Sequence, residues 1–328
     1  MSDSNDEKSH DGRIRIGVLG AKGQLGQCLV RDVEQASDLE LAFAVTREEI
    51  DLTATERIAT WLDSQASASP DVVVNAAAYT KVDSCEAEVE TAYETNAVAP
   101  AEWARQLSLR GIRFIHVSTD YVFPGDGDRP YREGDPTDPK TVYGSSKRAG
   151  ENGVLEADPN ALVVRTSWVF GPGRNFVVAI LNQAARRRSG ELEGPLKVVD
   201  DQRGTPTSAQ DLAAALLELC RRGGAESGGA RGLLHLCNQD VTTWYGFARA
   251  ILDEAGYSDL QIDPVPTSAF QTAAPRPAYS VLDCDRAKGM GIVMRPWREA
   301  LVGYLSGPDA PSALLPRVDG SVRREVSG

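Results

Sequence analysis

Tyr143-Gly144-Ser145-Ser146-Lys147 places a phenol and an amine four residues apart. On a helix, two such side chains lie one turn apart on the same face. An ammonium beside a phenol lowers its pKa from about 10, which makes the hydroxyl a usable proton donor near neutrality. The amine can also reach the ribose of a bound cofactor. Ser118-Thr119-Asp120 adds a hydroxyl able to hold and align a carbonyl oxygen. Tyr-x-x-x-Lys also occurs as an ordinary surface pair, so its meaning depends on what precedes it. Upstream, Gly20-Ala21-Lys22-Gly23-Gln24-Leu25-Gly26 follows the apolar run 14–19 and opens a helical pattern through Leu29, Val30 and Val33. Strand, glycine turn and helix form the context of a dinucleotide-phosphate site. Gly20 permits the turn, Gly23 lets the backbone approach a pyrophosphate, and Gly26 lets the helix pack on the strand. Free amides at the helix start then face the phosphates. In this order the motifs describe machinery for moving hydride onto a carbonyl.

The spacing Gly-x-x-Gly-x-x-Gly fits short-chain reductases better than the Gly-x-Gly-x-x-Gly of the older dehydrogenases. The second apolar run, 41–45, leads into Thr46-Arg47, about twenty residues past the turn, where an acidic residue would bind the adenosine ribose hydroxyls. None is present there. Arg47 offers its planar fork to a 2′-phosphate instead, which predicts NADPH in preference to NADH. The alternative for Arg47 is a solvated residue at a helix start.

Bulk properties bound the rest. A chain of 328 residues can bury one large or two moderate cores. Its 41% hydrophobic and 25% charged content is that of a soluble globular protein. A net charge of −12 argues against nucleic-acid or anionic-membrane partners. Arg186-Arg187-Arg188 reads as a solvated helix face. No apolar run approaches the ~20 residues of a membrane span, and the first dozen residues lack the apolar core of a signal peptide. Five cysteines, at 28, 85, 220, 237 and 284, contain no Cys-x-x-Cys and cannot all pair internally. That points to a reducing cytoplasm and to buried or idle thiols. His10, His116 and His235 form no metal-type cluster, so no catalytic zinc is expected. His116, inside Phe114-Ile115-His116-Val117, reads as structural.

Strands expected at 14–19, 41–45, 72–75, 114–118 and 162–165 alternate with helices at 24–36, 54–66, 86–109 and 142–157. Near-continuous apolar strands in such alternation predict an α/β fold, a Rossmann-like doubly wound parallel sheet covered on both faces. Ligands bind such sheets at the carboxyl ends of their strands. The glycine turn, Asn75-Ala76-Ala77-Ala78, Ser118-Thr119-Asp120 and Thr166-Ser167-Trp168 all fall there. The three small alanines leave room for a flat cofactor, or simply start a helix. The segment 121–141 is rich in Pro and Gly and reads as a functional cover. After Trp168 the alternation loosens, with helices at 174–189, 208–222 and 244–255 and an exposed loop at 223–232. The expected division is a flexible tail at 1–12, a dinucleotide-binding domain at 13–168 and a flexible tail at 307–328. Residues 169–306 then form a smaller, discontinuous C-terminal substrate lobe, some of whose segments return to the first domain.

With these motifs assembled, the chain resembles the dTDP-4-dehydrorhamnose reductase family of extended short-chain dehydrogenases. The resemblance rests on Gly-x-x-Gly-Gln-Leu-Gly at 20–26, the 75–83 segment Asn-Ala-Ala-Ala-Tyr-Thr-Lys-Val-Asp, and the 118–123 segment Ser-Thr-Asp-Tyr-Val-Phe. Tyr143-Gly-x-x-Lys147, the 165–170 segment Arg-Thr-Ser-Trp-Val-Phe, the 201–207 segment Asp-Gln-Arg-Gly-Thr-Pro-Thr and the 276–283 segment Arg-Pro-Ala-Tyr-Ser-Val-Leu-Asp complete it. It runs from about residue 14 to about residue 305 and is more specific for the family than for the sugar.

The resemblance implies NADPH-dependent reduction, with NADH as an accepted alternative, of the C4 ketone of dTDP-4-dehydro-β-L-rhamnose to dTDP-L-rhamnose. Tyr143 is then the proton donor, Thr119 aligns the carbonyl, and Lys147 holds the ribose. Cofactor contacts are expected from Gly20, Gly23, Gln24, Leu25, Gly26, Arg47, Asp51, Leu52, Ala76, Ala77, Ala78, Tyr79 and Asn96. For Asn96 a helix-interior role competes. Asp120, Tyr121 and Val122 should shape the sugar pocket, and Trp168 should stack on or wall the ring. Arg276, with Asn175 and Arg203 as weaker candidates, should meet the diphosphate of the dTDP-sugar, unless these residues serve structural pairs. The family's homodimer and magnesium cannot be carried to particular residues, so no metal site is expected. Alternatives are a reductase of another dTDP-4-keto sugar (dihydrostreptose-type), an epimerase or 4,6-dehydratase, and a non-catalytic regulator like that of methionine adenosyltransferase. The dehydratase needs two carboxylates beside the threonine, where only Asp120 stands. The regulator does not need Thr119, Tyr143 and Lys147 together.

Overall fold

The computed structural model describes residues 12–223 and 229–316. His10, residues 1–11 of the first expected tail, the centre of the expected loop at 223–232 and positions 317–328 lie outside them.

Strands β1 (Ile14–Leu19), β2 (Leu39–Val45), β3 (Val72–Asn75), β4 (Arg113–Thr119) and β5 (Leu162–Thr166) are joined by a sixth, β10 (Gly232–His235). Together they form one parallel sheet in the order β10-β5-β4-β3-β1-β2. The chain runs outward from β1 to β2, then returns to the other side of β1 with β3. The crevice between β1 and β3 is therefore the switch point where this fold binds ligands.

Every residue of β3 and β5 is buried, because helices cover both faces. Ile16, Val18, Val74, Ile115 and Val164 pack beneath α1 (Gln24–Gln35) and α8 (Ala209–Arg221). Val73, Phe114 and Val163 pack on the other face, against α2 (Thr55–Ser64), α5 (Ala99–Ser108) and α6 (Val142–Ala157). α8 and β10 come from the loosely patterned half of the sequence.

The helix expected at 86–109 is four pieces: α3 (Val82–Ala87), α4 (Val89–Tyr93), a π-turn at Glu94–Val98, and α5. The extra residue of a π-turn turns a side chain off the regular helical face. Asn96 lies in it, fully buried. Its Oδ1 accepts from Tyr79 N–H (2.8 Å), and its Nδ2 donates to Tyr79 O (3.1 Å) and to Ser146 Oγ (3.0 Å). The turn thereby stitches the segment after β3 to α6.

A second core unites α7 (Phe176–Arg188), α9 (Trp244–Glu254) and α11 (Trp297–Ser306) with the pair β7 (Leu196–Val199) and β12 (Ile262–Val265). Short pairs complete it: β6 (Val169–Phe170) with β9 (Thr207–Ser208), and β8 (Arg203–Gly204) with β11 (Thr242–Thr243). A short helix α10 (Asp285–Gly289) precedes α11. Residues 307–316, expected within a tail, pack on the protein: Asp309 pairs with Arg31 (2.8 Å), and Leu314 O accepts from Tyr257 Oη (2.7 Å).

Candidate active site

Gly20 has φ +81, a left-handed conformation that favours glycine, and a Cβ there would lie 2.8 Å from Ala77 N. A Cβ on Gly26 would lie 2.1 Å from Gly20 O, so the helix and turn meet at backbone contact. Gly20 and Ala21 both donate to Val45 O, fixing the turn over the end of β2. α1 begins at Gly23 with no side-chain cap and no acidic residue in its first turn. Its first amides and the positive end of its dipole are therefore available to an anion.

That helix start forms one end of a cavity of about 420 Å³. Gly23, Gln24, Leu25, Ala76 and Ala78 line this end; Thr119, Asp120, Tyr121, Tyr143, Lys147 and Trp168 line the other. Gln24 Oε1, Ser118 Oγ, Thr166 Oγ1 and Asp120 Oδ2 are buried without a hydrogen-bond partner among the described residues. Unpaired buried polar atoms around an anion-accepting helix end fit a large polar cofactor and a polar substrate.

α6 presents Tyr143 and Lys147 to the cavity because its start is pinned. Thr141 Oγ1 accepts from Gly144 N–H (2.9 Å), and Gly144 packs so closely that a Cβ would lie 2.2 Å from Tyr121 O. Further along, Glu151 accepts both ends of the Arg165 guanidinium at 2.8 and 2.7 Å, with both residues fully buried. This forked pair ties α6 to β5. Tyr143 shares the cavity wall with Thr119 and packs edge-on to Tyr121, ring centroids 5.5 Å apart. Thr119 Oγ1 donates to Asp120 Oδ1 (2.9 Å) and accepts from Tyr121 N–H (3.2 Å).

The electrostatics depart from the expected pattern. Burial pushes the Tyr143 phenol up, against the Thr119 hydroxyl. Burial also lowers Lys147, to about 8, against the nearby Glu151 charge. The ammonium donates to Val117 O (2.8 Å) and lies 3.2 Å from His116 Nε2. Burial, then the Lys147 charge, holds His116 far below the usual histidine range, so the ring is neutral. Asn75 Nδ2 braces its Nδ1 (3.0 Å) while Asn75 Oδ1 accepts from Ala77 N–H (3.0 Å). His116, read in the sequence as structural, is thus a positioning residue for Lys147. Burial pushes Asp120 up to about 6, against the Ser280 and Thr119 hydroxyls.

Other expected residues sit elsewhere. Val122 is buried in a cluster with Phe123, Tyr131 and Leu282 and does not line the cavity. Asn175 caps α7: Oδ1 accepts from Val178 N–H (3.1 Å), while Nδ2 donates to Gly171 O (2.5 Å) and Tyr304 Oη (3.2 Å). Its polar atoms are committed to structure, so neither it nor Val122 is placed to meet substrate. Ala77 closes on Gly20, and Tyr79 and Asn96 support the cavity through the bonds described above. Asp51 accepts from Thr53 N–H (3.0 Å) and Oγ1 (2.8 Å), and Leu52 packs under α2; neither lines the cavity. Arg47 is exposed just past β2. Arg203 is exposed on β8. Arg276 pairs with Asp83 (2.5 Å) and lines a neighbouring apolar groove of about 290 Å³ with Phe176, Trp244 and Phe270.

Trp244 lines both spaces and was missed in the sequence, where the start of α9 carries no marker of a site. Its indole stacks on Trp168, centroids 3.6 Å apart and planes within 7°. Trp168 is held there with φ +46, and a Cβ on Gly204 would lie 2.4 Å from its indole. So Trp168 lines the cavity, with a second indole stacked on it. Among the described residues no group of three or more His, Cys, Asp or Glu could hold a metal. No helix among them is long and apolar enough to cross a membrane.

Residues 14–307 match the family described as RmlD substrate binding domain. The dTDP-4-dehydrorhamnose reductase of Mycobacterium tuberculosis is 41% identical over 302 residues, covering 90% of this chain and 93% of that protein. A Streptomyces antibioticus protein named "probable dTDP-4,6-dihydroxy-2-methyloxan-3-one 4-ketoreductase" is 40% identical, covering 87% and 92%. The crystal structure of dTDP-4-dehydrorhamnose reductase from Bacillus anthracis in complex with NADP superposes with a TM-score of 0.79 at 31% identity, covering 89% of this chain and 99% of that one. This chain belongs to the RmlD family, that of the dTDP-4-dehydrorhamnose reductases.

Proposed function

We propose that this RmlD-family oxidoreductase reduces the C4 ketone of dTDP-4-dehydro-β-L-rhamnose to dTDP-L-rhamnose with NADPH. One observation carries the reading: a phenol, a threonine hydroxyl and a buried amine share one cavity with a cap-free helix start. When bound, the reduced nicotinamide supplies the hydride. Tyr143 delivers its proton to the C4 oxygen as charge develops there, so no free alkoxide forms. Thr119 aligns that oxygen, and the Lys147 ammonium stabilises the tyrosinate left behind and binds the ribose. The first amides of α1 take the pyrophosphate. Asp120, Tyr121 and the Trp168–Trp244 wall shape the sugar pocket. Arg276 and the apolar groove beside it receive the dTDP end.

Arg47 supports NADPH over NADH through the 2′-phosphate. Equal kcat/KM with the two cofactors would remove it from that role. Presence of Thr119, Tyr143 and Lys147 in one cavity favours an enzyme over a regulatory subunit. A second reading, reduction of a different dTDP-4-keto sugar, is favoured by the near-equal identity to the Streptomyces antibioticus ketoreductase. The deciding experiment is incubation with NADPH and a panel of dTDP-4-keto sugars, with products identified by mass and NMR. dTDP-L-rhamnose formed with the highest kcat/KM supports the first reading, and a clear preference for another ketosugar supports the second.

A further inference from the structure

Two of the five thiols line a second cavity, reached from the first through Ser167. Cys237 lies in the segment following β10, and Cys284 sits at the N-terminus of α10. Both pack into one cluster with Val122, Phe123, Tyr131 and Leu282. Both line a separate cavity of about 320 Å³, with Asn238, Asp283, Lys288 and Met294. Cys237 is buried, whereas Cys284 is part-exposed and gives the pair its contact with solvent. Neither thiol lies inside a strand or helix interior, so their sulfurs can approach without breaking a ladder.

Burial works against a Cys237 thiolate, yet the neighbouring Cys284, Ser167 and Thr207 side chains outweigh it and hold the thiol below its ordinary range, while Cys237 and burial push Cys284 up in turn. Ser167 Oγ is 3.2 Å from Cys237 Sγ. The other thiols are different. Cys28 and Cys220 are pushed by burial up to about 12, and Cys85 is raised by burial as well. A thiol with lowered pKa, an adjacent resolving thiol and a route to solvent are what selective oxidation requires.

We propose that Cys237 and Cys284 are a reversible dithiol–disulfide site whose oxidant is hydrogen peroxide. The Cys237 thiolate attacks a peroxide oxygen; the O–O bond breaks, and the released hydroxide takes up a proton and leaves as water. The resulting sulfenic acid is attacked by the Cys284 sulfur. An S–S bond forms, the S–O bond breaks, and the departing hydroxide leaves as a second water with the Cys284 proton. Two electrons pass from the sulfurs to the peroxide, and a dithiol reductant restores both thiols.

The test treats the full chain with hydrogen peroxide at about ten-fold excess, alkylates under denaturing conditions and maps peptides from monomer-sized protein. The expected result is a loss of about 2 Da, a Cys237–Cys284 linked peptide, and recovery of both thiols with dithiothreitol. Cys284→Ser should yield no linked peptide. The proposal is overturned if all five thiols stay alkylatable, if a linked peptide joins other cysteines, or if Cys284 is oxidised without a linkage. The parent protein alone decides this, so the outcome does not depend on any variant folding or on the identity of the sugar.

Discussion

A carboxyl group sealed from water resists ionisation, and Asp120 is one held beside the reacting groups. Its folded value of about 6 lies above the ordinary 3.8. The folded state therefore holds the proton more tightly than the unfolded chain. Stability that is complete below about 3.8 is lost as pH rises through about 6. Asparagine keeps an acceptor for Thr119 and cannot ionise. The stability gap between Asp120→Asn and the parent should thus widen by about 1–2 kcal/mol in the variant's favour from pH 5 to pH 8. Thermal melts at the two pH values check this, and a gap that stays constant would show that Asp120 does not titrate there. The proposed preference for NADPH is tested at the same scale. Arg47→Ala should raise the KM for NADPH about ten-fold and leave that for NADH unchanged, as steady-state kinetics with each cofactor would reveal.

In the proposed mechanism, helix α6 carries the chemistry only while it sits against the loop after β4. Gly144→Ala would drive a methyl into Tyr121 O, 2.2 Å from its ideal position. The backbone must shift, and Tyr143 moves with it. We expect a loss of at least ten-fold in kcat and about 1–3 kcal/mol in stability; kinetics and chemical denaturation measure the two. Unchanged kcat would mean that α6 is not positioned by this contact. At this scale much was legible in the sequence. β1, β3 and β5 are near-continuous apolar runs, and both the glycine turn and Tyr143–Lys147 carry their geometry in their spacing. The break in the helix expected at 86–109 was not legible, because nothing in local periodicity marks a π-turn that exists to aim Asn96. His116 looked like core because its neighbours are apolar; its partners Asn75 and Lys147 are brought to it only by strand pairing and by α6. Trp244 was hidden for the same reason: its stacking partner lies far away in sequence.

Across the whole molecule, the half built on the six-stranded sheet is not a contiguous piece of chain. α8 covers α1, and β10 extends the sheet beyond β5, so later sequence completes the first core. A fragment of residues 1–168 would expose Ile16, Val18, Val74 and Val164 where α8 now lies. It should fail to fold cooperatively, seen as poor dispersion in amide NMR spectra and no sigmoidal melt, whereas a well-dispersed spectrum would refute this dependence. The completed frame brings the α1 end and the α6 face into one cavity, and the proposed chemistry depends on that meeting. Turnover and NADPH binding measured side by side on Tyr143→Phe test it most directly. The account predicts that ketosugar reduction falls by at least about 100-fold while NADPH binds with essentially parental affinity. Undiminished turnover in that variant would contradict it.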